Sequence, residues 1–197
     1  MKKMERRIWE GVQVVPYAVK QGNTQGGREL LRDLESKIVR AEAAMQAAFA
    51  LRDEGFSPDV IIAHSGWGEA MFLKQVWPNA KMGLYCEFFY RDEGYDLGFD
   101  TAIYPLRVGA QKAQIQLKNA HYLLQAPYMD AGLSPMHFQA DTFPEPLRSK
   151  IAVIHDGIDT RKIAPNPHAA LKFGSGLSLR KGDEVVTFVS RSLEPYR

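Results

Sequence analysis

Short runs of β-branched and apolar residues alternate along this chain with longer stretches of helical periodicity, and that alternation restricts the fold more than any other feature. Pro58-Asp59-Val60-Ile61-Ile62-Ala63, Lys81 to Cys86 and Ile151-Ala152-Val153-Ile154 read as buried strands. Strands joined through helices pair in parallel under a helical cover, so the pattern predicts an α/β fold. Gly11 to Tyr17 reads as a first short strand, followed by a helix over Arg28 to Glu54 with Leu31, Leu34, Ile38, Met45 and Phe49 on one face and Gly55 as its C-cap. A short helix from Glu69 to Val76 stops at Pro78, and a second amphipathic helix is expected from Leu106 to Leu124. Ala131 to Pro135 reads as a strand leading into a helix over Met136 to Ala140. The loop from Glu87 to Pro105 is too long for a plain connection and is therefore a functional candidate.

Beyond Ile154 the character changes. Residues 163–182 are rich in Pro, Asn and Gly and read as a linker, with a small hairpin around Gly174-Ser175-Gly176. Val185 to Val189 is again a strand pattern, followed by a polar turn that carries Arg191 and Arg197. In α/β domains the carboxyl end of a strand is where ligands bind, so this turn reads as the start of a second domain with a site at its edge.

Charge and cysteine content narrow the function. With 25 basic against 23 acidic residues the formal charge is only +2, which gives no footprint for nucleic acid. The single cysteine, Cys86, excludes an intrachain disulfide and reads as a packing residue in a reducing compartment. No signal-length or membrane-length apolar stretch is present, and a cytoplasmic protein is expected.

The turn His64-Ser65-Gly66-Trp67-Gly68-Glu69 lies between a strand and a helix start, where backbone N–H groups favour polar or anionic ligands. Gly66-x-Gly68 with Glu87 after the next strand imitates a dinucleotide fingerprint, but Met71 stands where its third glycine belongs. Ser65 lacks the flanking glycines of a nucleophile elbow, since Ala63 and Trp67 occupy those places. The histidines, His64, His121, His137, His155 and His168, are scattered without a close ligand pair, so no metal site is expected. Tyr85-Cys86-Glu87-Phe88-Phe89-Tyr90-Arg91 admits two readings: aromatic faces with a carboxylate, as in sugar sites, or a core cluster with a surface Glu-Arg pair.

Val153-Ile154-His155-Asp156-Gly157-Ile158-Asp159 resembles the V-I-x-N-G-V-D strand and turn of family-4 retaining glycosyltransferases, with His155-Asp156 replacing the usual Pro-Asn pair. The closing residues resemble that family's strand-Gly-Arg-Leu-x-x-x-Lys-Gly turn, Arg191 matching its arginine and Arg197 standing at its lysine. A bacterial subgroup with H-x-G-W-G-E, E-F-F-Y, G-L-S-P, V-I-H-x-G-I-D and L-E-P-Y-R-G blocks is similar in order and spacing over most of the chain.

The resemblance implies a GT-B enzyme with a Rossmann-like acceptor domain over 1–162, a linker over 163–182 and the start of a donor domain over 183–197. It implies sugar transfer with retention from a nucleoside-diphosphate donor to a carbohydrate or lipid-linked acceptor, in polysaccharide or glycoconjugate synthesis. No cofactor and no obligatory metal are implied. Arg191 and Arg197 would grip the diphosphate, and His64 and Glu87 would act on the acceptor side. Ser65, Gly66, Trp67, Gly68, Phe88, Tyr90, His155 and Gly157 would line the cleft. The family's first strand and glycine-rich loop have no counterpart before Gly11, and its acidic pair would fall after Arg197. The expectations are therefore a chain inactive by itself, an unpaired sheet edge that promotes self-association, and peripheral membrane contact by the full-length enzyme. The competing readings are a non-catalytic binding module or remnant and, less well matched, a nicotinamide-dinucleotide-binding protein.

Overall fold

The computed structural model describes residues 7–20, 22–92, 94, 102 and 109–187. They fall into two compact units, Met1–His155 and Asp156–Arg197, each taken by itself.

The first unit opens with an antiparallel hairpin of β1 (Arg7–Trp9) and β2 (Val12–Val14). Its turn residues Glu10 and Gly11 have φ of 47° and 83°, as a two-residue type I′ connection requires. The strand expected from Gly11 to Tyr17 is shorter, Val12–Val14, and forms the second arm of this hairpin. The Glu10-Gly11 turn folds Val12–Val14 back onto Arg7–Trp9, and Pro16, which has no N–H, cannot extend the ladder.

Helix α1 (Arg32–Asp53) follows a 3-10 turn at Glu29–Leu31. Loop residues stitch its first turns: the Thr24 hydroxyl and N–H donate to Glu35 at 2.6 and 2.9 Å, and Ser36 donates to Asn23 at 2.9 Å. The Thr24 hydroxyl, then its N–H, holds the Glu35 carboxyl below its ordinary value. Gly55, at φ 92°, ends the helix as anticipated, with its N–H on the Arg52 carbonyl. The buried stripe is small: Ala41 and Ala48 sit inside, Met45 and Phe49 pack against the core, and Leu31, expected on the inner face, is exposed.

Then come β3 (Val60–His64), α2 (Leu73–Val76), β4 (Lys81–Tyr85), α3 (Ala110–Gln125), β5 (Ala131–Ser134), α4 (His137–Ala140) and β6 (Ile151–Val153). The four strands form one parallel sheet in the order β3-β4-β5-β6, a Rossmann-like α/β arrangement consistent with the N-terminal domain of a GT-B enzyme. Right-handed crossovers that all step in one direction put their connections on one face of the sheet. That face holds the core: Ile61, Met82, Leu84, Cys86 and Ile151 meet Tyr122, Met129 and Phe143. On the other face Ile62 is 80% exposed and Val60 57%, and the outer edge of β3 has no partner among the described residues. At the lower end Asp130 accepts the Met82 N–H at 2.8 Å, which is the main reason its carboxyl lies below the ordinary value.

The second unit carries the anticipated hairpin, β7 (Ala170–Lys172) with β8 (Ser178–Arg180), and its turn contains Gly176 at φ 87°. Val185 to Thr187 form no strand, and the remainder of the expected strand lies outside the described residues. No helix among the described residues is long and apolar enough to cross a membrane.

Candidate active site

At the carboxyl edge of the sheet, β3 delivers His64 and the segment after β4 delivers Glu87. The His64 Nε2 and a Glu87 carboxylate oxygen lie 3.3 Å apart, with the two side chains 32% and 52% exposed. His64 also caps the 3-10 turn Ser65–Trp67, its Nδ1 accepting the Gly66 N–H at 3.1 Å. A neutral imidazole has one donor and one acceptor nitrogen, so this bond places the proton on Nε2, facing Glu87. The imidazole lies 5.3 Å from the Tyr85 ring and 5.9 Å from the half-exposed Trp67 ring.

The turn is held from below and from the side. Ser65, assigned to the cleft lining by resemblance, is wholly buried, and its hydroxyl donates to the Tyr85 carbonyl at 2.8 Å. Gln125 of α3, also fully buried, donates to the Ser65 carbonyl at 3.1 Å and to the His121 carbonyl at 2.8 Å. Gly68 adopts φ 104°, and a Cβ there would lie 2.4 Å from the Lys37 carbonyl oxygen, so only glycine lets the turn rest on α1. Tyr17 donates to Glu69 at 2.6 Å; burial and that bond push its hydroxyl up to about 12.

The segment after β4 divides by face. Phe89 enters the core against Tyr122 and Phe143, while Phe88 packs on Tyr90 and Phe138. Buried Asn119 accepts the Tyr90 N–H at 3.0 Å and donates to its carbonyl at 2.7 Å, and Lys118 stands 3.6 Å over the Tyr90 ring. Arg91 donates to the Asp141 and Thr142 carbonyls at the end of α4, while Glu87 meets His64. A cavity of about 350 Å³ lies between this segment and Ile115, Asn119 and Leu123 of α3. Cys86 is buried, and desolvation pushes its thiol up to about 12, which fits packing rather than nucleophilic chemistry.

A family model described as the glycosyl transferase family 4 group matches residues 1–163. The chain belongs to this family. Searches of curated proteins and of solved structures return no match. Family 4 membership makes the activity glycosyl transfer, with a sugar donor and an acceptor as substrates.

Within this family 4 chain, the structure brings His64, Trp67 and Glu87 together, with Gly66 and Gly68 shaping the turn between them. His155 follows β6, at the opposite edge of the sheet from β3, and Gly157 belongs to the second unit. Arg191 and Arg197 lie outside the described residues. Among the described residues no group of three or more His, Cys, Asp or Glu could hold a metal ion. Sequence reasoning missed Tyr17, Arg40, Asn119 and Gln125, whose partners lie 52, 27, 29 and 60 positions away. No local motif announces pairs at such separations.

Proposed function

We propose that residues 1–162 form the acceptor side of a retaining glycosyltransferase, which moves a sugar from a nucleoside diphosphate to a hydroxyl of a carbohydrate or lipid-linked acceptor. The observation that carries this reading is the His64–Glu87 contact at 3.3 Å beside the half-exposed Trp67 indole. An aromatic face and a carboxylate suit a pyranose, whose C–H face stacks on the ring while its hydroxyls donate to the acid. His64, with its proton on Nε2, orients Glu87; Glu87 keeps lone pairs for the incoming hydroxyl. Holding that hydroxyl close to the donor carbon supplies the proximity term of the rate.

On the donor side, Arg191 and Arg197 bind the diphosphate, without a resident cofactor or an obligatory metal. The linker covers 163–182 and the donor domain begins at 183. The block pattern from His64-Ser65-Gly66-Trp67-Gly68-Glu69 to Leu193-Glu194-Pro195-Tyr196-Arg197 supports placement in the bacterial subgroup, and with it a cytoplasmic role in polysaccharide or glycoconjugate synthesis with peripheral membrane contact.

The test is titration with methyl β-D-glucopyranoside and methyl α-D-mannopyranoside, followed by tryptophan fluorescence and NMR. Glu87→Gln is expected to weaken binding about tenfold through loss of charge-assisted hydrogen bonds. His64→Gln, which keeps a donor toward Glu87, should lose less than His64→Ala. Unchanged binding by Glu87→Gln would remove Glu87 from the site.

A further inference from the structure

We infer that Arg40 of α1 is a positioning residue for sugar binding, fixing the Trp67 indole in the orientation in which it meets a pyranose beside Glu87. The inference rests on the acceptor-side reading above.

The turn around Trp67 presents one large side chain and suppresses the others. Ser65 is buried, and a Cβ on Gly66 would come within 3.0 Å of the His64 ring and 3.4 Å of the Tyr122 hydroxyl. A Cβ on Gly68 would strike the backbone of Lys37. The backbone on both sides of Trp67 is therefore seated against His64 and α1, yet the indole between them is 51% exposed. A tryptophan on a fixed backbone still turns about two side-chain bonds, and an indole that must stack on a sugar loses affinity to that freedom.

Arg40 restricts it at two points. Its Nη1 donates to the Trp67 carbonyl at 3.3 Å, and its guanidinium carbon lies over the indole, 5.7 Å from the ring centroid and within cation–π range. The neighbouring Ala41 is fully buried, which anchors α1 at this turn of the helix. The Arg40 charge also reaches the Tyr17 hydroxyl, which donates to Glu69. A residue that merely tied α1 to the turn would need the carbonyl bond alone. The cation over the ring is the observation that points to indole orientation.

Side-chain NMR of the chain's three tryptophans, with Trp67 assigned by Trp67→Phe, reads ring order without any ligand. Arg40→Gln is expected to shift and broaden the Trp67 indole N–H, leave the signals of Trp9 and Trp77 in place, and weaken binding of both methyl pyranosides about five- to tenfold. Arg40→Lys, which keeps the cation and loses the planar fork, should recover part of both. If Arg40→Gln fails to fold, Arg40→Met, which keeps the apolar stem, carries the same measurements. An unchanged Trp67 signal and unchanged affinity overturn the positioning role and leave the acceptor-side reading intact. Wild-type affinity in Trp67→Ala, or no pyranoside binding by the unsubstituted chain, overturns that reading and this inference with it.

Discussion

His121 is 1% exposed, and neither of its ring nitrogens makes a hydrogen bond among the described residues. Burial, reinforced by the nearby Lys37 ammonium, lowers its pKa to about 3. A histidine whose folded value is depressed binds fewer protons when folded than when unfolded. Its contribution to stability is complete above about pH 6.5 and declines as pH falls toward 3, by at most about 1.4 kcal/mol per unit. Denaturant unfolding should therefore show a loss between roughly pH 6.5 and 5, before most carboxylates titrate, and His121→Phe should flatten it. An equal slope in both proteins would mean that the ring escapes burial. The His121 ring lies 4.1 Å from that of Tyr122, tilted by 40°, and the Tyr122 hydroxyl, whose pKa burial also raises, lies beside Gly66, so the acid-sensitive residue adjoins a residue that touches the candidate site.

Among the elements, β3 is the one exposed to consequence. An all-parallel sheet is ordinarily covered on both faces, yet β3 presents Ile62 and Val60 to solvent and leaves one row of backbone groups unpaired among the described residues. Such an edge is a template for another strand. We expect concentration-dependent association by size-exclusion chromatography with light scattering, and Ile62→Lys should shift it toward monomer without unfolding the chain. A clean monomer at high concentration in the unsubstituted protein would argue against the edge as an interface. Helix α3 teaches a different lesson. Its buried residues are Asn119, His121, Tyr122 and Gln125, while Leu123 and Leu124 are 56% and 52% exposed. Periodicity locates such a helix but does not find its inner face, because Asn119 and the Gln125 amide nitrogen inside it bond distant backbone groups at Tyr90 and Ser65.

At the scale of the whole molecule the proposed function divides the reaction between two sides, and the division is testable. In a transfer-competent protein that contains this chain, Arg191→Ala and Arg197→Ala should each lower transfer, followed as nucleoside diphosphate release, on the order of a hundredfold, and leave methyl pyranoside binding unchanged. Loss of pyranoside binding in either variant would contradict the division. The sequence by itself determined the alternation of strands and helices, the Gly55 cap, the hairpin around Gly174 to Gly176, and the motif blocks that carry the family resemblance, because each depends on spacing within a few residues. Only the tertiary structure decided that Val12–Val14 folds back into a hairpin, that Ser65 is buried, that Glu87 meets His64, and that Arg40 bonds Trp67 and Tyr17 bonds Glu69. The reason is physical. Those contacts join groups far apart in the chain, and they exist only once the packed core has brought them within reach of one another.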